Sequence, residues 1–207
     1  MRNTVIFDMD GTIYDTEKIY KISWLEAGVP LDLYFSFIGT SRVHIRNLLT
    51  ENGFDPDEVF EKRGQVVERE LAKGIEIKPG AVEALTWLKE NGWTSLIATS
   101  SKAEVAYRYL KETGMEDFFS DVVSGNQLER GKPAPDVFLM AARQAGRTPD
   151  ECVVVEDSFN GVRAGHAAGM YTVMVPDLAQ PDDEMRATAD IILPTLGELP
   201  ACLMKLK

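Results

Sequence analysis

The sequence predicts an α/β protein, a parallel sheet flanked by helices with a small helical domain inserted after the first strand. Three observations predict it. Short apolar runs rich in β-branched residues alternate with longer stretches of helical periodicity, the pattern of a parallel sheet. The runs are nearly continuous in apolar residues, as in strands covered on both faces. Residues from about 16 to 78 interrupt the alternation with helical periodicity and no strand run.

The first strand is Thr4-Val5-Ile6-Phe7. The insertion follows, broken at Gly28-Val29-Pro30 and at Asn52-Gly53, and its ends fall near Asp15 and Pro79. Residues 1–15 and 79–207 are therefore expected to form the α/β catalytic core, and 16–78 the helical cap. Pro79-Gly80 opens a helix over about 80–91, in which Val82, Leu85 and Leu88 share a face. Gly92 closes it, and Thr94-Ser95-Leu96-Ile97-Ala98 is the second strand. A helix over about 102–113 carries Val105, Tyr109 and Leu110 on one side and stops at Gly114. Asp121-Val122-Val123 is the next strand, then a helix over about 134–145 ends at Gly146. Cys152-Val153-Val154-Val155, a helix over about 160–168, Tyr171-Thr172-Val173-Met174-Val175 and Ile191-Ile192-Leu193 complete the pattern. There is no internal repeat and no low-complexity segment.

A chain of 207 residues can bury one substantial core and leave room for a small accessory domain. Its 33 acidic residues against 22 basic ones give a net charge of −11, which repels nucleic acid and anionic membranes. The same charge repels phosphorylated metabolites, so a site for them needs a metal ion or local cations. No apolar run approaches the roughly 18 to 20 residues of a membrane span, and the N-terminus lacks the about 7–15 apolar residues of a secretory signal. Cys152 and Cys202 cannot form a disulfide framework. A cytoplasmic protein, monomeric or weakly homo-oligomeric, is expected.

Chemistry-bearing residues stand at the ends of the strand runs. Asp8-Met9-Asp10-Gly11-Thr12 follows the first strand, and Gly11 allows a sharp bend with no Cβ to obstruct a ligand. Ligands of open α/β sheets bind beyond the carboxyl ends of the strands. A polar turn with solvated aspartates reads the same residues. A calcium loop does not, because Thr12 falls at its third ligand and Ile19 at its twelfth. Glu156 and Asp157 end another strand. If the sheet brings both ends together, three or four carboxylates converge and raise one another's pKa unless a cation joins them. Mg²⁺ suits such oxygen donors, since it takes few protein ligands and keeps waters; an acidic helix start explains the pair as well. Thr99-Ser100-Ser101 ends the second strand where a helix begins, which fits either a phosphate seat or an ordinary Ser/Thr cap. Gly131-Lys132-Pro133-Ala134-Pro135-Asp136 places a lysine in a turn framed by two prolines, although most lysines simply solubilise the surface.

These four segments, in this order, resemble the haloacid dehalogenase-like superfamily, in the branch with a helical cap after the first strand that includes β-phosphoglucomutase and many sugar-phosphate phosphatases. The resemblance covers the whole chain and implies a Rossmann-like core. It implies that Asp8 is a nucleophile that becomes an aspartyl phosphate, and that Asp10 is the general acid and base. It gives Thr99, the backbone N–H of Ser100, Ser101, Gly11 and Thr12 to the phosphoryl group, and Lys132 to charge neutralisation. Mg²⁺ is implied as cofactor, bound by Asp8, the carbonyl oxygen of Asp10 and Asp157, with Glu156 close or ligating. Gly39-Thr40-Ser41-Arg42 matches a cap segment in which the arginine grips a second, non-reacting phosphate; a surface arginine at a helix start reads Arg42 equally well.

Two features depart from the phosphoglucomutase pattern. Tyr20 stands where those members carry a histidine, and His44, the one histidine of the insertion, lies elsewhere. The stretch from Trp24 to Gly39 is also short for this cap type. The expected function is a phosphatase for a small phosphorylated metabolite, with a sugar phosphate first. A phosphohexomutase is the rival, and a non-catalytic phosphometabolite sensor stands further off.

Overall fold

The computed structural model describes residues 2–37, 42–126 and 128–206. The chain divides into two compact units, one of residues 1–15 and 76–207 and the other of residues 16–75.

The larger unit is built on a six-stranded parallel sheet: β1 (Thr4–Phe7), β2 (Thr94–Thr99), β3 (Asp121–Ser124), β4 (Cys152–Glu156), β5 (Tyr171–Met174) and β6 (Ile191–Ile192). The strands lie in the order β3-β2-β1-β4-β5-β6, all neighbours parallel. Every residue of β1 and β4 is buried, which is why these runs carry no polar alternation. Their apolar side chains each contribute about 1.5–3 kcal/mol by leaving water. Phe7 sits in register with Ile97 on one side and Val155 on the other. One residue further, the chain therefore delivers Asp8, Ala98 and Glu156 to the same edge. The strand order reverses direction at β1, the crevice where ligands of such sheets bind.

Four helices follow the strands they return from: α5 (Ala81–Glu90), α6 (Ala103–Thr113), α7 (Asp136–Gln144) and α8 (Phe159–Ala167). Ile6, Ala98 and Val154 of the sheet pack with Val137, Phe138 and Ala141 of α7 and Ala164 of α8 in one buried cluster. The expected helix over 134–145 begins only at Asp136, because Pro133 and Pro135 hold the preceding turn outside it. Two short helices lacked a periodic signal and were not expected: α9 (Asp183–Thr188), capped by the Asp182 carboxylate, and α10 (Leu199–Leu203), with Pro200 in its first turn.

The smaller unit consists of α1 (Thr16–Glu26), α2 (Leu31–Phe37), α3 (Arg42–Glu51) and α4 (Pro56–Leu71), with no strand among its described residues. Trp24 anchors its core, edge-on to Phe37 and Phe60 at 4.9 and 5.6 Å, with Tyr34, Leu49 and Val59 around it. Asp55 caps α4 by accepting from Asp57 N–H at 2.9 Å, and Pro56 occupies the first turn. The unit ends at residue 75, short of the expected 78. Residues 76–78 pair with 13–15 inside the larger unit: Asp15 N–H donates to Glu76 O and Lys78 N–H to Ile13 O.

Candidate active site

The site is assembled at the carboxyl edge of β1, β2 and β4. Asp8 continues β1 by one residue, its N–H donating to Val155 O at 2.9 Å. The chain then turns over buried Met9, whose carbonyl accepts from both Ile13 and Tyr14 N–H. Gly11 has φ 81°, and a Cβ there would collide with the Asp157 carboxylate. Both its conformation and its neighbour exclude any side chain.

Lys132 is the centre of charge. Its Nζ donates to Asp8 Oδ1 at 2.5 Å, to Glu156 Oε1 at 2.6 Å and to Ala98 O at 3.4 Å, which engages all three of its protons. The ammonium also lies 4.8 Å from the centre of the Phe138 ring. Burial opposes the charge on Lys132, but Asp8 and Glu156 outweigh it and hold its pKa above the ordinary lysine value. Asp8 is pushed up to about 8. Loss of water is the main cause, Lys132 opposes it, and Glu156 and Asp10 add to it. One cation shared between two buried carboxylates leaves an excess of negative charge.

Glu156 is fully committed. Its Oε2 accepts from Ser158 N–H at 2.8 Å and Ser158 Oγ at 2.9 Å, while Oε1 takes Lys132. Ser158 Oγ in turn caps α8 through Gly161 N–H, and a Cβ at Gly161 would run into the Glu156 carboxylate. Glu156 therefore braces Lys132 through one oxygen and is fixed by Ser158 through the other, which fits the expectation of a residue close to the metal site.

Two further expected phosphate residues have partners within the site. Thr12 is completely buried, and its hydroxyl donates to Asp157 Oδ1 at 2.8 Å, so that side chain orients the carboxylate. Ser101 donates Oγ–H to Asp10 Oδ2 at 2.7 Å and its N–H to Thr99 Oγ1 at 3.0 Å. It thus holds Asp10, and Ser124 Oγ fixes Ser101 by donating to its carbonyl at 2.7 Å. Sequence reasoning missed Ser124, which has no motif and is recognisable only from its register opposite Thr99. Thr99 is buried with its hydroxyl proton still to donate, and Ser100 is exposed beside it. Arg42 belongs to the smaller unit, at the start of α3, with its guanidinium 4.3 Å over the Phe60 ring. Gly39, Thr40 and Ser41 lie outside the described residues.

Among the described residues, no three His, Cys, Asp or Glu side chains are gathered as a group able to hold a metal ion by themselves. The narrower donor set fits Mg²⁺, which takes one or two carboxylates and keeps several waters. Asp8 and Asp157 would supply the carboxylates and the Asp10 carbonyl a third hard oxygen, as the resemblance implies. The Gly11 cradle against Asp157 keeps that approach clear of any Cβ.

A carboxylate at a strand tip, an ammonium in contact with it and a second acid held by a serine define an α/β enzyme built to work on a charged group. The chain belongs to the haloacid dehalogenase-like hydrolase family, whose model matches residues 3–169. It is 31% identical over 180 residues to the fructose-1-phosphate phosphatase YqaB of Escherichia coli, covering 83% of this chain and 95% of that one. It is 34% identical over 187 residues to the chloroplastic protein SUPPRESSOR OF QUENCHING 1 of Arabidopsis thaliana, covering 84% of this chain but 18% of that much longer protein. Among solved structures, a hydrolase from Pseudomonas syringae superposes with a TM-score of 0.81 at 29% identity, over 99% of each chain.

Proposed function

We propose that this chain is a Mg²⁺-dependent phosphatase that hydrolyses a small phosphorylated metabolite, a sugar phosphate first, through an aspartyl phosphate on Asp8. The carrying observation is the Lys132 bridge between Asp8 and Glu156, with Asp10 held by Ser101 on the same edge. Lys132 keeps Asp8 in place and offsets the charge of an incoming phosphate, which a protein of net charge −11 would otherwise repel. Asp8 attacks phosphorus while Asp10 gives a proton to the leaving oxygen. Asp10 then takes a proton from the water that cleaves the aspartyl phosphate. The Thr99 hydroxyl and Ser100 N–H bind the transferring oxygens. Bound Mg²⁺, held by Asp8, Asp157 and the Asp10 carbonyl, would neutralise phosphate charge and align it for in-line attack.

The sugar-phosphate reading is supported by the substrate named for the Escherichia coli relative. Tyr20 in place of the mutase histidine favours hydrolysis over transfer to a second hydroxyl. The reading places the protein in the cytoplasm, where small phosphorylated metabolites are handled. Both cysteines are free and buried, and no helix among the described residues is long and apolar enough to cross a membrane.

A screen of phosphorylated metabolites for phosphate release, with and without Mg²⁺, tests the proposal. Release from sugar phosphates that stops with a chelator and returns with Mg²⁺ is expected. Conversion of β-glucose 1-phosphate to glucose 6-phosphate with a bisphosphate primer would assign a mutase instead. Tight binding with no turnover of any compound would assign a sensor.

A further inference from the structure

Residues 13–15 and 76–78 form a short ribbon in the larger unit. Asp15 N–H donates to Glu76 O at 2.9 Å, Tyr14 pairs antiparallel with Ile77, and Lys78 N–H donates to Ile13 O at 2.8 Å. The ribbon is continuous with the catalytic turn: Gly11 N–H donates to Tyr14 O at 2.9 Å, and Asp10 and Tyr14 form a β-bridge. The ribbon and the Asp10 backbone are thus joined by backbone pairing.

Two side chains tie the ribbon to the core. Tyr14 is fully buried, edge-on to Tyr109 at 5.6 Å, with its hydroxyl 2.9 Å from Thr113 Oγ1 on α6. Lys78 Nζ donates to Asp177 Oδ1 at 2.6 Å, in the loop after β5, and the two side chains keep only 18% and 11% of their exposure. The other Asp177 oxygen is buried with no hydrogen-bond partner. A half-satisfied buried carboxylate is costly, and an ion pair meant only to stabilise would sit more cheaply at the surface. This one spans from the ribbon to the loop beyond β5, next to the strand that carries Glu156.

We propose that Lys78, anchored by Asp177, is a positioning residue for Asp10: by fixing the ribbon, and through it Tyr14, it sets where the Asp10 carboxylate meets the leaving oxygen. The proposal rests on the reading of Asp10 as general acid. Misplacement of a reacting group by about 1 Å can cost on the order of 10²-fold in rate.

The test uses leaving groups of different basicity. A sugar alkoxide leaves only with a proton, whereas p-nitrophenolate leaves without one, so kcat/KM for the two substrates separates acid catalysis from general damage. Lys78→Met is expected to lose about 10- to 100-fold on a sugar phosphate that the wild-type enzyme hydrolyses, and less than about 3-fold on p-nitrophenyl phosphate. Asp177→Asn, which keeps the volume and an acceptor oxygen, is expected to show the same split at smaller amplitude, so a Lys78→Met protein that does not fold leaves the test intact. Lys78→Arg is expected to recover most of the sugar-phosphate rate. Equal losses on both substrates from Asp177→Asn, or none on either, overturn the proposal when Asp10→Asn still shows the split. Absence of the split in Asp10→Asn itself would remove the acid role of Asp10 and the proposal together.

Discussion

In the larger unit Lys132 is held between Asp8 and Glu156 at 2.5 and 2.6 Å, with the three side chains almost wholly buried. In the helical unit Arg46 reaches Asp57 at 2.7 Å, but these side chains are 40% and 80% exposed. The distances are alike and the physics is not. Water screens the exposed pair, and such pairs contribute about 0–1 kcal/mol. Around Lys132 there is little water to screen anything, so each charge governs its neighbours. Another cation of the helical unit is set against rings: Arg63 lies 4.5 Å over Trp24 and 5.0 Å over Tyr20, and burial foremost lowers its pKa. Contact distance alone therefore does not rank ion pairs. Burial and the number of oxygens sharing one cation do.

The largest contrast is expected from Lys132→Met. Removing a preorganised donor to developing charge costs about 10²–10³-fold in kcat. It also leaves two buried carboxylates without their cation, a change on the order of 3–5 kcal/mol when one partner of a buried pair is lost. Steady-state kinetics and a melting curve without Mg²⁺ check both effects, and an active, equally stable variant would remove Lys132 from the centre of the site.

A smaller effect is expected from pH in the metal-free protein. Asp8 is raised from 3.8 to about 8, so folding favours its neutral form. Its contribution to stability is complete below 3.8 and is lost as pH rises through about 8. Asp8→Asn has no such group. Across that window the wild-type Tm is expected to fall relative to Asp8→Asn, and Mg²⁺ to close the gap. Parallel Tm profiles for the two proteins would contradict the raised carboxyl. The smallest effect belongs to Arg46→Ala, expected to leave stability nearly unchanged, and less affected still at high salt. Urea unfolding at two salt concentrations measures it, and a loss of several kcal/mol would erase the contrast between the two regions.

Much of the larger unit was legible because burial on both faces forces continuous apolar runs, as in Val153-Val154-Val155. The gathering of Asp8, Lys132 and Glu156 followed from motif order, but their division of labour did not. Glu156 and Asp157 are adjacent in the chain and look like a ligand pair. Only the fold shows one taken up by Lys132 and Ser158, and the other in contact with Thr12 and lying against Gly11. The carboxylate partners of Thr12 and Ser101 were likewise hidden, because a hydroxyl at a strand tip serves a ligand and a neighbouring carboxylate equally well. Ser124 and the Lys78–Asp177 pair gave no local signal, since register and loop position bring them into place. In the helical unit periodicity revealed helices, but a bulky residue such as Phe60 carries no mark in the sequence that it will face an arginine.

The central claim is that Asp8 carries the phosphoryl group. Acid quenching of the enzyme during turnover of a substrate it hydrolyses, followed by peptide mass spectrometry, tests this directly. The account predicts one hydroxylamine-labile phosphoryl group on the peptide containing Asp8, absent from Asp8→Asn. A phosphoryl group on another residue, or undiminished turnover by Asp8→Asn, would contradict it.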